Sequence, residues 1–291
     1  MTEFIVQSFN GLTLAGIIFL VSSGFTLVFG VMRVTNLAHG AVFLLGGYVA
    51  YSVIGGHTGN FFYGLAAGTA AMAALGFAVE RLLLPWLHHV EMAELLATLG
   101  LVYVIDDVSL AIWGGNPLNI NLPGVLGEST RLPIVGGITY PNNRFFILGV
   151  ALVVGILLFM LLRFTRIGAI IRAGVDDREM VNALGINVRR VFTGVFVLGA
   201  ALAGFAGVLG VPVLGLYTGG DTNILLFALA VVVVGGLGSY EGAIIGSLII
   251  GLIDTYGVAY VPAVSYTILF IPLVVILLVR PQGILGREAL A

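Results

Sequence analysis

Apolar residues run along this chain in long blocks, and polar residues collect in the short gaps between them. The blocks cover residues 6–32, 37–54, 61–84, 92–113, 145–162, 191–216, 224–234, 243–258 and 266–279. None alternates with the two-residue period of a barrel strand, and most approach the roughly 20 residues a helix needs to cross hydrocarbon. Lipid offers the backbone no hydrogen-bond partner, so spans of this length are helices. The pattern therefore predicts an all-α integral membrane protein, a polytopic bundle of eight or nine crossings. The blocks ending at Ile54 and covering 224–234 are short for a full crossing, so some segments are expected to be broken or re-entrant.

Composition agrees. Hydrophobic residues make up 59% of the 291 positions and charged residues 9%, against about 25% charged in soluble domains. The mean hydropathy is +1.14. The start, Met1-Thr2-Glu3-Phe4, carries no positive charge, so the first block reads as a retained span and not as a cleaved leader.

Arginine placement predicts orientation. Arg163, Arg166, Arg172, Arg178, Arg189 and Arg190 crowd one polar gap, and Arg280 and Arg287 follow the last block. Under the positive-inside rule these stretches are cytoplasmic. Counting spans back puts Arg33 and Arg81 inside, and residues 114–143, with Arg131, outside. Nine crossings then give an external N-terminus and a cytoplasmic C-terminus.

Two residue types are missing. Without Cys there is no disulfide and no thiolate metal site. Without Lys there is no P-loop lysine, so any ATP-driven step belongs to a partner chain. No cofactor, metal set or catalytic residue is read from the chain. The pair His88-His89 near Glu91 and Glu94 reads as headgroup-level surface.

Within the arginine-rich loop, residues 172–190, Asp176 stands three positions before Glu179, as in a capping box. Gly185 stands where a helix end favours positive φ. About two turns of helix are expected between them, with Met180, Val181 and Leu184 forming an apolar stripe. Such a stripe can dock in a groove of a partner or rest on lipid headgroups.

Asn36-Leu37-Ala38-His39-Gly40 is a polar, Gly-containing break between two apolar blocks. A weak echo follows at Gly235-Gly236-Leu237-Gly238-Ser239. Corresponding breaks in two halves point to a transport pathway, which makes Asn36, His39 and Gly40 candidates to line it. Alternatively, Asn36 and His39 satisfy backbone freed at the bend. Asp106, Asp107, Asp254 and Glu241 fall in or beside apolar blocks and raise ion coupling as a lesser possibility. Gly199, Ala203 and Gly207, spaced by four, read as a small face for close helix packing.

Several stretches resemble the branched-chain amino-acid ABC transporter permeases of the LivH type. They are Arg166-Ile167-Gly168, Arg172-Ala173, Asp176-Asp177, Ala183-Leu184-Gly185-Ile186-Asn187 and the run from Gly199 to Leu209. Glu80-Arg81, both Gly-containing breaks and the ending Pro281-Gln282-Gly283-Ile284-Leu285-Gly286-Arg287 also match, in the expected order over nearly the whole chain. Ala41, after Ala38-His39-Gly40, departs from a family pattern that often has Glu there.

The resemblance implies a single permease domain over 1–291 that imports branched-chain amino acids or related small solutes. It implies ATP-Mg hydrolysis on two separate cytoplasmic ATPase subunits. A second permease, related or identical, and a periplasmic solute-binding protein complete the set; no nucleic-acid partner is expected. The loop at about 163–190 would carry the coupling helix, with Arg172, Ala173, Asp176, Asp177, Met180, Val181, Leu184 and Gly185 at the ATPase contact. A stand-alone secondary transporter or channel is the alternative.

Overall fold

The computed structural model describes residues 2–32, 36–55, 60–87, 90–132 and 137–286. Arg33, His88, His89 and Arg287 lie outside the described residues. Among the described residues, six helices are long and apolar enough to cross a membrane. In chain order the helices are α1 (Thr2–Met32), α2 (His39–Ile54), α3 (Phe61–Ala78), α4 (Glu91–Trp113), α5 (Asn142–Phe164), α6 (Arg166–Asp176), α7 (Arg178–Ala183), α8 (Val188–Leu214), α9 (Gly220–Gly235), α10 (Tyr240–Tyr260) and α11 (Ser265–Val279). A π-helical turn (Val79–Leu83) and a 3-10 turn (Leu84–Trp86) extend α3. The blocks at 37–54 and 224–234 become α2 and α9, of 16 residues each.

A two-stranded antiparallel hairpin, β1 (Ser129–Leu132) and β2 (Ile138–Pro141), interrupts the helical pattern in the polar gap before α5. It is too short to register as an apolar alternation. Paired hydrogen bonds between Leu118 and Leu216 join the same gap to the chain that follows α8.

α1 and α8 form the centre of the bundle and are mostly buried, whereas α4 and α5 expose most of their length. α10, α9 and α5 surround α1, and α2 and α3 lie on α8. The exposed faces are apolar, such as Leu152, Val153, Ile156 and Met160 on α5. In lipid such a face needs no cover, and the buried seams must be held by shape.

Small residues provide that shape. A Cβ on Gly24 of α1 would stand 2.7 Å from the Gly199 carbonyl oxygen of α8, and one on Gly46 of α2 would stand 2.6 Å from Gly204 Cα of α8. Both distances are below any real Cβ contact, so these helices touch backbone to backbone. Of the expected small face of α8, Gly199 meets Gly24 of α1 and Gly207 meets the Phe43 backbone of α2, while Gly46 meets Gly204, outside that set.

Contacts sort the polar ends. At one end Phe4 stacks on Tyr256 (5.3 Å), Arg144 donates to Asn10, and the hairpin with Arg131 lies nearby. At the other, Met32 packs with Leu83 and Leu84, beside Arg81, Arg163, Arg166, Arg172, Arg178, Arg189, Arg190 and Arg280. The chain after α11 returns to this end. There Ile284 and Leu285 donate backbone hydrogen bonds to Val234 and Gly235 (2.9 and 3.0 Å), capping the free carbonyls of α9.

The backbone contacts at the α2–α8 seam generate a prediction. Gly46→Ala should lower stability by about 1–3 kcal/mol, the usual cost of overpacking, read as a lower melting temperature in detergent. Gly149→Ala on α5, where an added Cβ meets nothing within 4 Å, should leave it unchanged.

Candidate functional site

Two regions were singled out by sequence, the polar break before α2 and the loop between α5 and α8. At the break, the first turn of α2 leaves backbone donors that its own helix cannot satisfy. The Leu37 N–H donates to Thr98 Oγ1 of α4 (3.3 Å), and the Ala38 N–H donates to Asn36 Oδ1 (3.1 Å). The His39 N–H donates to the Asn36 carbonyl (3.3 Å). His39 Nε2 lies 3.0 Å from the Val21 carbonyl of α1. A carbonyl only accepts, so Nε2 carries the proton. Phe25 sits edge-on to the same ring at 5.6 Å.

These bonds fix the depth of the break. Val21 lies eleven residues before the end of α1, about 16 Å along the axis at 1.5 Å per residue. α2 therefore begins inside the bundle, part-way up α1, and reaches the far end at Ile54 with only 16 residues. The short block is a re-entrant start and not a shortened crossing.

Asn36 and His39 are 6% and 1% exposed, and both contact protein. The structure gives them the backbone-securing geometry, with no open surface on either. Gly40 abuts the backbone of Asp221, whose carbonyl an added Cβ would strike. The break thus meets the start of α9, not the second Gly-rich break at 235–239, which the C-terminal chain caps.

Around this meeting point lie groups the sequence reading did not join. Tyr48 of α2 is buried and stacks on Trp113 (5.0 Å). Asp221, 3% exposed, follows at the start of α9, with Asp106 of α4 within its electrostatic reach. Asp221 was missed, although an acid directly after Gly219-Gly220 at the head of a short apolar block was a usable signal.

In the loop, Thr165 caps α6 by accepting from the Gly168 N–H (3.2 Å), and Arg172 donates to the Leu162 carbonyl. Asp177, not Asp176, caps α7, accepting from the Met180 N–H (2.9 Å). α6 runs through Asp176, so the extended residue that a cap requires comes one position later. The end of α7 is as expected. Gly185 has φ of 81°; its N–H reaches Asn182 and the Ile186 N–H reaches Val181, a Schellman closure.

Val181 departs from the expected stripe. It is 4% exposed and turned into the core, while Met180 and Leu184 are 59% and 72% exposed. Met180 stands about 100° round the helix from Val181, and Leu184 lies past the end of α7, so the core takes Val181 alone. Arg172, Ala173, Asp176, Asp177 and Gly185 are exposed beside Met180 and Leu184. The loop therefore presents a capped, rigid, mixed apolar and charged surface.

Among the described residues, nine apolar helices and a structured arginine-rich loop form a multi-pass membrane bundle. The model of the family "Branched-chain amino acid transport system / permease component" matches residues 7–279. The chain belongs to that family, and it is a multi-pass membrane protein and a transport permease component. It is 32% identical to the "High-affinity branched-chain amino acid transport system permease protein LivH" of Escherichia coli (strain K12), and 31% identical to the BraD permease of the same description from Pseudomonas aeruginosa. Each alignment covers 98% of this chain and 96% of the relative. It is also 29% identical to the "Ribose import permease protein RbsC" of Escherichia coli (strain K12), over 93% of this chain and 83% of that protein. No solved structure matches.

The His39 geometry gives a second prediction. His39→Ala should lower stability by about 1–3 kcal/mol, the cost of losing a buried hydrogen-bonded group, and leave transport per folded molecule unchanged. The two are read on one preparation as detergent melting temperature and solute uptake. Lost uptake at an unchanged melting temperature would instead make His39 a pathway residue.

Proposed function

We propose that this chain is one permease subunit of an ATP-driven importer, moving branched-chain amino acids or closely related solutes into the cytoplasm. The observation that carries the reading is the α6–α7 loop. It is capped at both ends and held to the bundle by Arg172 and Val181, yet it turns Met180 and Leu184 outward. A carrier working alone has no use for such a surface. A motor subunit that must push on the bundle needs a stiff one.

In this reading Arg172, Ala173, Asp176, Asp177, Met180, Leu184 and Gly185 contact a cytoplasmic ATPase, and Val181 anchors the helix from beneath. Two ATPase subunits bind ATP-Mg, which this Lys-free chain cannot hold in a P-loop. A second permease, related or identical, completes the membrane part, and a periplasmic binding protein delivers the solute. The whole chain, 1–291, acts as one domain in the bacterial inner membrane. Asn36, His39 and Gly40 bear on the pathway by fixing the re-entrant start of α2. The names of the LivH and BraD relatives support the solute class.

Two measurements test this. Leu184→Asp puts a charge where the ATPase would bury an apolar side chain, an unfavourable exchange unless the charge is paired. The variant should reach the membrane, fail to hold the ATPase subunits and lose at least tenfold in uptake. Normal ATPase association would remove α7 from the contact. For orientation, single cysteines in this Cys-free chain should react with an impermeant thiol reagent in intact cells at Glu128→Cys and not at Arg178→Cys. The opposite pattern would invert the topology.

A further inference from the structure

Three buried oxygens without a hydrogen-bond partner lie on α4 and at the start of α9, the two helices that flank the head of α2. Asp221 is 3% exposed; its carboxylate accepts hydrogen bonds from the backbone and hydroxyl of Thr222, but Oδ1 is left over and shut off from solvent. Asp106 Oδ1 on α4 is equally buried and equally unpartnered, and its carboxylate lies within electrostatic reach of Asp221. Ser109, 3% exposed, also has a buried Oγ without a partner. It stands three residues beyond Asp106, on the same face of the helix.

Two carboxylates and a hydroxyl enclosed in this way are unfavourable unless a positive, hydrogen-donating group joins them. No arginine lies on α2, on α4 or on α9. Among the described residues no group of three His, Cys, Asp or Glu side chains could hold a metal ion. A small cation with several N–H donors meets that need, and a primary ammonium has three.

The position suits a passing solute. Asp221 lies directly beneath Tyr217, Thr218 and Gly219, which are exposed at the end of the bundle opposite the arginine-rich loop. Tyr48 and Trp113 form an aromatic wall beside it. Asp107, the neighbour of Asp106, is exposed and takes no part.

We propose that Asp106, Ser109 and Asp221 form a site for the ammonium group of the transported amino acid. The site rests on the function proposed above and adds to it the residues that tell an amino acid from a solute with the same side chain and no amine. Movement of α4 relative to the start of α9 would part the oxygens and release the ammonium. Each aspartate repels the other until the ammonium sits between them, so both contribute to holding it.

The test uses the complete transporter in lipid nanodiscs, with radiolabelled leucine as the probe. In the wild type, unlabelled isoleucine and valine should compete with leucine. 4-Methylpentanoate, which keeps the side chain and the carboxylate but lacks the ammonium, should not. Asp221→Asn and Asp106→Asn should each weaken leucine binding at least tenfold, and Asp107→Asn should leave it unchanged. Competition by 4-methylpentanoate equal to that of leucine, or unchanged binding in both Asn variants, would overturn the site. If either Asn variant does not assemble, the wild-type competition series and Ser109→Ala, expected to weaken binding severalfold, decide the matter. A wild-type transporter that neither binds nor takes up leucine would overturn the proposed solute class and this site together. Leucine uptake with an indifferent Asp106–Asp221 pair would remove the site alone.

Discussion

Helices in lipid gain nothing by hiding apolar side chains from one another, because the lipid is equally apolar. The structure depends on close backbone approach at the seams of α8. Gly199 against Gly24 and Gly204 against Gly46 bring α1 and α2 onto α8 with no side chain between. That proximity lets α2 start inside the bundle. With α2 spaced off by side chains, the His39 ring would not reach the Val21 carbonyl, and the polar start of α2 would be stranded in an apolar interior. The glycine contacts and the His39 bond are parts of one arrangement.

The re-entrant start of α2 in turn shapes what surrounds it. It puts the head of α2 against the head of α9 and draws Thr98, Asp106 and Ser109 of α4 toward that junction. α4 has few neighbours in its own chain. Polar groups therefore line one side of α4, while the outer face of α5 stays apolar. The opposite end of the bundle is built differently. There the loop from α5 to α8 is closed by its own caps, Thr165, Asp177 and Asn187, and the last residues of the chain seal α9. One end is closed and charged, and the interior holds polar groups without partners.

Most of the helices were legible because the length of an apolar block is a local property. Each apolar block became a helix, and the two short ones became α2 and α9. The junction was not legible, since Gly40 and Asp221 come together only through the packing of α2, α8 and α9. A resemblance between two Gly-rich strings suggested 235–239 as the mate of 36–40, yet that break serves to receive the C-terminal chain. In the loop the capping chemistry was legible to within one residue. Asp176 and Asp177 are equally able to cap, and the length of α6 decides between them. The Met180, Val181 and Leu184 stripe failed in part because a six-residue helix has both a packed side and a free side, and the sequence does not say which apolar residue takes each.

The central claim is that this bundle is driven by partner ATPases and does not run on an ion gradient. Uptake of labelled leucine into proteoliposomes holding the reassembled transporter tests it most directly. With its binding protein outside and ATP-Mg trapped inside, leucine should accumulate, and a non-hydrolysable nucleotide should stop it even when a proton or sodium gradient is imposed. Accumulation driven by either gradient in the absence of ATP would contradict the account.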